Sequence, residues 1–131
     1  YELTDRVRLV GWRSPEEIRK IFSRSDVFLQ SSIREAFGIA ALEARASGLA
    51  VVARSQSGTR DFIDDGREGL LAQDDAGLAE AVLRLAGNRQ LLDHIHLNNR
   101  ESPVRYAWSH VGSEIERLYR EAVEGGRGAL G

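Results

Sequence analysis

The chain contains no cysteine, so disulfides and thiolate metal sites are excluded. The absence leaves the compartment open, because an exported protein of this size can also do without the residue. No apolar run approaches the roughly 18 residues that a membrane-spanning helix requires. Residues 1–8 have neither the charge order nor the apolar middle of a signal peptide. Histidine is scarce: His94 and His96 lie two apart on a predicted helix and cannot share a metal, and His110 stands alone, so no metal site is expected. Ser-His-Asp order, a Gly-x-Ser-x-Gly elbow, a complete Gly-x-Gly-x-x-Gly and a Walker sequence are all missing. Lys20 is the single lysine among 18 basic residues, a bias that a GC-rich genome explains more simply than phosphate binding. Against 20 acidic residues the formal charge is −2, dispersed along the chain, which argues against a nucleic-acid partner. With no methionine and Tyr1 in first place, the chain is expected to be a fragment of a longer one.

What is present suits one domain. A length of 131 residues with 42% hydrophobic content suffices for a packed core. Val7, Leu9 and Val10 alternate up to Gly11 and read as a short first strand. Ser14, Pro15 and Glu17 then spell an N-cap, a first-turn proline and a capping box, with Ile18, Ile21 and Phe22 as the inward face of the helix they open. Val27, Phe28 and Leu29 read as a second strand, Ala50 to Ala53 as a third, and Gly69 to Ala72, after the Asp65-Gly66 turn, as a fourth. Residues 54–63 read as a turn into a short helix. From Asp75 onward Leu78, Ala81, Val82 and Leu85 keep a helical period, as do Leu91, Leu92 and Ile95. Asp64, Asp65, Asp74 and Asp75 read as cap and turn residues. Strands alternating with helices predict an α/β fold, a Rossmann-like parallel sheet with helices on both faces. In such sheets ligands gather at the carboxyl ends of the strands, where residues 31–38 lie.

Everything turns on the stretch from Glu35 to Gly48. Good helix formers run from about Ile39 to Ser47, and Gly48 can take the left-handed conformation that ends a helix. At 100° per residue Ile39, Leu42 and Ala46 share one face, with Ala40, Ala41 and Ala44 opposite, so the helix is expected to be covered on both sides. Glu43 then falls within the apolar stripe, where a carboxylate must be paired or hydrogen-bonded. A neighbouring Arg or a backbone amide would meet that need. Glu35 lies eight positions earlier, roughly 12 Å away along the helix edge at about 1.5 Å per residue. Between the two carboxylates the free N–H groups of Phe37, Gly38 and Ile39 would leave the helix N-terminus, a place for phosphate. Two carboxylates flanking an anion site suit a ligand that is hydroxyl-rich at both ends and phosphorylated in the middle, as a nucleotide-sugar is.

These residues resemble the Glu-x7-Glu motif of retaining glycosyltransferases with the GT-B fold, in which Glu-(Ala/Ser/Gly)-Phe-Gly-(Ile/Leu) is followed by Leu-Glu-Ala and a Gly before a Pro-Val-Val strand. The resemblance covers about residues 7–119 and implies part of the C-terminal, donor-binding half of such an enzyme. It implies that Glu43 accepts both ribose hydroxyls, that the amides of Phe37, Gly38 and Ile39 touch the diphosphate, and that Glu35 contacts the transferred sugar as the catalytic-site carboxylate. A carboxylate takes a vicinal diol in two parallel hydrogen bonds, whereas against phosphate it would be repelled. Trp12 and Arg13 occupy the loop where family members often meet the base; they read equally well as a core-edge aromatic and a solvated charge. Gln30 departs from a frequent Pro-Ser, Ala50 from Pro, and Arg45 from Met, with Arg45 placed so that it reaches solvent. The family's paired glycines are reduced to Gly58, with Asp61 in place of Glu, so a turn is preferred there to a donor contact. Trp108, Ser109, Ile115, Leu118 and Tyr119 resemble the family's terminal aromatic helix, and residues 125–128 read as a frayed end.

The resemblance further implies no cofactor beyond the nucleotide diphosphate-sugar and no required metal. Its acceptor, a carbohydrate or lipid, would bind a missing N-terminal domain that could also make peripheral membrane contact, and the compartment implied is the cytoplasm or the inner face of the membrane. The family's Gly-rich loop, its Arg and Lys diphosphate clamp and its catalytic His are absent here, so no turnover is expected from residues 1–131 alone. Set against a glycosyltransferase are a non-catalytic nucleotide- or protein-binding module of the same fold and, with less to support it, an epimerase or phosphorylase.

Overall fold

In a computed structural model of the chain, residues 3, 5–104 and 117 are described. Among them the order is α1 (Pro15–Phe22), β1 (Val27–Gln30), α2 (Ile39–Ala46), β2 (Ala50–Arg54), a 3₁₀ turn (Gly58–Asp61), β3 (Gly69–Ala72), α3 (Asp75–Gly87) and α4 (Arg89–Glu101). The sheet is parallel, in the order β1-β2-β3, with Val27 opposite Ala50 and Val51 opposite Gly69.

β2 is buried along its whole length, and its side chains divide the core in two because successive residues face opposite sides of a sheet. Ala50 and Val52 join Leu70, Leu78, Leu85 and Ile95 under α3 and α4. Val51 and Ala53 join Ala41, Phe62 and Ile63 under α2 and the 3₁₀ turn. Helices therefore cover both faces, as the alternation of apolar runs and helical patterns implies.

The capping box forms: the Glu17 amide donates to Ser14 Oγ at 3.3 Å and the Ser14 amide to Glu17 Oε2 at 2.9 Å. The Ser14 amide foremost, then the Ser14 hydroxyl beside the carboxylate and the nearby Arg13 charge, lower the Glu17 carboxyl pKa below its ordinary value. Asp74 caps α3 through the Gly77 amide at 2.8 Å, and Asp65 accepts from the Leu71 amide at 2.8 Å, the cap and turn roles expected of them. α1 buries none of its residues; Phe22 meets Phe28 edge-on at 5.8 Å, while Ile21 is exposed rather than inward.

Other expectations fail as well. Residues 7–10 form no strand; Leu9 is 95% exposed, because no ladder partner stands beside them among the described residues. α2 is rotated from its expected orientation: Ala41, Ala44 and Arg45 are its buried face, with Leu42 half-buried against the same core, while Ile39, Ala40, Glu43 and Ala46 are exposed, so it is covered on one side only. Small side chains win that face because they let the helix lie close on β2. Arg45, expected in solvent, is 2% exposed and donates to Glu68 Oε1 at 2.8 Å and to the Ser102 carbonyl at 3.0 Å. Glu68 Oε2 accepts from the Asp64 amide at 2.8 Å. Asn99 closes the same buried cluster, donating to the carbonyls of Leu49 and Glu68 at 2.8 Å each. The expected terminal helix around Trp108, with Ser109, Ile115, Leu118 and Tyr119, and the end at residues 125–128 lie outside the described residues.

Candidate functional site

The loop from Gln30 to Gly38 leaves the carboxyl end of β1 and turns into α2. Gly38 is the N-cap residue at φ +84°, a left-handed conformation that glycine takes at no steric cost. A Cβ there would also stand 2.8 Å from Thr59 Oγ1, so position 38 admits no side chain on two counts. No side chain of an N-cap residue closes this helix end, and its first turn holds no acidic residue. Glu35 closes it instead: Oε1 accepts from the Gly38 amide at 3.1 Å, and Oε2 from Gln30 Nε2 at 3.0 Å. The sequence treats the Gly38 amide as free, and in the structure Glu35 holds it. Phe37 is half-buried against Phe62, with ring centroids 5.5 Å apart, and Ile39 is 66% exposed beside the helix end.

The 3₁₀ turn seats this loop from below. The Gly58 amide donates to the Glu35 carbonyl at 2.9 Å, and a Cβ on Gly58 would stand 2.0 Å from the Ala36 carbonyl oxygen. Gly58 is thus a packing glycine, as the preference for a turn implies. Thr59 beside it is wholly buried, and its Oγ1 has no hydrogen-bond partner among the described residues.

Glu43 is exposed on the outer face of α2, with no side-chain hydrogen bond or ion pair among the described residues. The burial that would have demanded a partner does not exist. Glu43 instead lines a groove of about 290 Å³ between α1 and α2, together with Pro15, Ile18, Arg19, Phe22, Ala46 and Ser47. The groove is mostly apolar, with Arg19 and Glu43 as its charged lining residues. Just before α1, Trp12 is 84% exposed and packs into no core among the described residues, and Arg13 donates to the Trp12 carbonyl at 3.3 Å with Glu17 3.9 Å away. The structure therefore strings Glu35, Gly38, Ile39 and Glu43 along one short segment and leaves Trp12 and Arg13 on the neighbouring loop.

Sequence reasoning missed Gln30 as a partner of Glu35, and Thr59 under Gly38. Gln30 carries a legible signal, a polar amide on the sheet face that Phe28 shares; Thr59 carries none. Among the described residues, no three His, Asp or Glu side chains are grouped to hold a metal ion, and no helix is long and apolar enough to cross a membrane. Chemically, the segment offers the first backbone N–H groups of α2, next to the Gly38 amide that Glu35 holds, with Glu43 about one turn further on.

Comparison with known proteins identifies the family and the fold. The family described as Glycosyl transferases group 1 matches residues 1–88. A D-inositol 3-phosphate glycosyltransferase of Corynebacterium urealyticum is 33% identical over 116 residues, covering 87% of this chain and 27% of that protein. An alpha-maltose-1-phosphate synthase of Mycolicibacterium smegmatis is 34% identical over 114 residues, covering 80% of this chain and 30% of that protein. Among solved structures, a sucrose-phosphate synthase from Thermosynechococcus elongatus superposes with a TM-score of 0.81 at 30% identity, over 95% of this chain and 32% of that one. HepE from Anabaena, solved with UDP and glucose, shares the fold with a TM-score of 0.79 at 22% identity, over 91% of this chain and 33% of that one. The chain spans less than a third of the length of these curated relatives.

Proposed function

This chain belongs to the group 1 glycosyl transferases, and on that premise we propose that it is part of the donor-binding domain of a retaining enzyme that moves a sugar from a nucleoside diphosphate to an acceptor hydroxyl. The observation that carries the reading is the pairing of an exposed Glu43, on the rim of the α1–α2 groove, with the N-terminus of the same helix. Glu43 takes the ribose diol in two charge-assisted hydrogen bonds. The amides of Phe37, Gly38 and Ile39, at the positive end of the α2 dipole, face the diphosphate. Glu35, a few residues before them, meets the sugar that is transferred. Trp12 and Arg13 border the base, an exposed aromatic offering a stacking face and the guanidinium a donor. Diphosphate charge is met by the helix end, and no metal ion is needed for binding. HepE, solved with UDP and glucose, supports a nucleotide-sugar as the ligand class.

Turnover requires the remaining two thirds or more of the length that the curated relatives have, where the acceptor, a carbohydrate or lipid, is bound. We place the reaction, as the family resemblance implies, in the cytoplasm or at the inner face of the membrane. Hydrogen exchange of the full-length protein with saturating UDP, GDP or ADP tests the placement. One of the three should slow exchange across residues 35–43. A nucleotide that binds and leaves those amides unprotected would place the donor elsewhere.

A further inference from the structure

Gln30 ends β1 and pairs with Ala53 across the sheet. Side chains alternate along a strand, so Gln30 shares a face with Phe28, which packs against the α2-side core. Its amide is thereby aimed under the loop that carries Glu35. An ionised carboxylate only accepts hydrogen bonds, so the group that Gln30 presents to Glu35 Oε2, 3.0 Å away, is its NH₂. Glu35 is then held at three points. Gly58 fixes its backbone carbonyl, the Gly38 amide holds Oε1, and Gln30 holds Oε2. The three differ in what a ligand does to them. The Gly58 bond leaves the side chain free to rotate. The Gly38 bond is contested, because that amide is among those proposed to face the diphosphate. Only Gln30 both orients the carboxylate and stays out of the ligand's way.

We infer that Gln30 is the positioning residue of Glu35, keeping its carboxylate directed at the sugar when the donor's phosphate competes for the Gly38 amide. This rests on the reading of Glu35 as the carboxylate that meets the transferred sugar. One lone-pair direction on each Glu35 oxygen is used internally, and the others remain to accept sugar hydroxyls. On this inference Gln30 acts on Glu35 and not on the ligand. Its effect passes wholly through Glu35, and that dependence is what an experiment can read.

The test uses the full-length protein and hydrolysis of UDP-, GDP- or ADP-glucose, whichever is turned over fastest. Gln30→Met keeps side-chain length and removes the donor, and Gln30→Glu keeps shape while setting one carboxylate against another. Both should lower kcat by about 10–100-fold, with KM and the affinity for the free nucleoside diphosphate within about twofold of wild type. In a Glu35→Gln background, Gln30→Met should cost nothing more, since its route of action is already gone. Equal losses in both backgrounds would show that Gln30 acts independently of Glu35, and unchanged kcat in both single variants would show that it does not act at all; either overturns the inference while Glu35 keeps its role. If Glu35→Gln alone leaves kcat intact, the underlying reading of Glu35 fails, and the inference about Gln30 fails with it.

Discussion

Replacing Arg45 with Met isolates what the buried cluster beneath α2 contributes. Arg45 is 2% and Glu68 4% exposed. The substitution removes the guanidinium that donates to Glu68 Oε1 and to the Ser102 carbonyl, leaving Glu68 buried with the Asp64 amide as its remaining side-chain hydrogen bond among the described residues. Breaking a buried pair from one side costs about 3–5 kcal/mol, most of it the uncompensated charge rather than the attraction lost. The companion change Glu68→Gln removes that charge while keeping an oxygen for the Asp64 amide. The double variant should therefore recover more than half of the loss, a non-additivity that two separate contacts would not give. Hydrogen exchange at the β2 amides, read as a local opening free energy, measures all three proteins in one framework. The reasoning fails if Arg45→Met costs under about 1 kcal/mol, or if the double variant is no more stable than Arg45→Met alone.

Other substitutions address the site and its supports. Gly58→Ala should push the Glu35 loop off its seat, since the new methyl would stand 2.0 Å from the Ala36 carbonyl oxygen; overpacking of that order costs about 1–3 kcal/mol and should appear as a lowered Tm with weakened nucleotide binding. Trp12→Ala should leave stability within about 0.5 kcal/mol, because the side chain is already exposed, yet weaken nucleotide binding in calorimetry. For Glu17 the sign follows from its lowered pKa: stabilisation by the capping box is present above the ordinary carboxylate value and is lost as pH falls through the lowered one. An NMR titration of Glu17 should return toward the ordinary value in Ser14→Ala, whose hydroxyl no longer closes the box.

Local punctuation was the part of the fold most legible in the residues. Ser14-Pro15-x-Glu17, Asp65-Gly66 and Asp74 each act within a few positions of chain, so their outcome depends little on distant packing. Periodicity served α3 and α4 for a related reason: large apolar residues at helical spacing have one side to bury. It misled for α2, where the apolar residues are mostly alanines. There the contest was between a larger Ile39 and a row of small side chains, and close approach to β2 decided it. The same inversion carried Arg45 inward to Glu68, a partner 23 positions away that no local pattern reveals. Val7, Leu9 and Val10 show the complementary limit, since alternation marks a segment fit to be a strand and pairing requires a neighbour. For the proposed site, Glu35 and Glu43 stand out in the sequence by their spacing around a glycine. Burial is what singles out Glu43 there, and the structure instead leaves it exposed beside a groove.

The most direct test is calorimetric titration of UDP, GDP and ADP into the full-length protein and its Glu43→Gln and Glu35→Gln variants. Glu43→Gln keeps shape and removes charge, turning two charge-assisted bonds to the ribose into neutral ones, so affinity for the preferred nucleoside diphosphate should fall by roughly 1–3 kcal/mol. Glu35→Gln should not weaken that affinity, because its partner is the sugar that the free diphosphate lacks and its hold on the Gly38 amide competes with the phosphate. A folded Glu43→Gln protein that binds the nucleotide as tightly as wild type would contradict the assignment of Glu43 to the ribose.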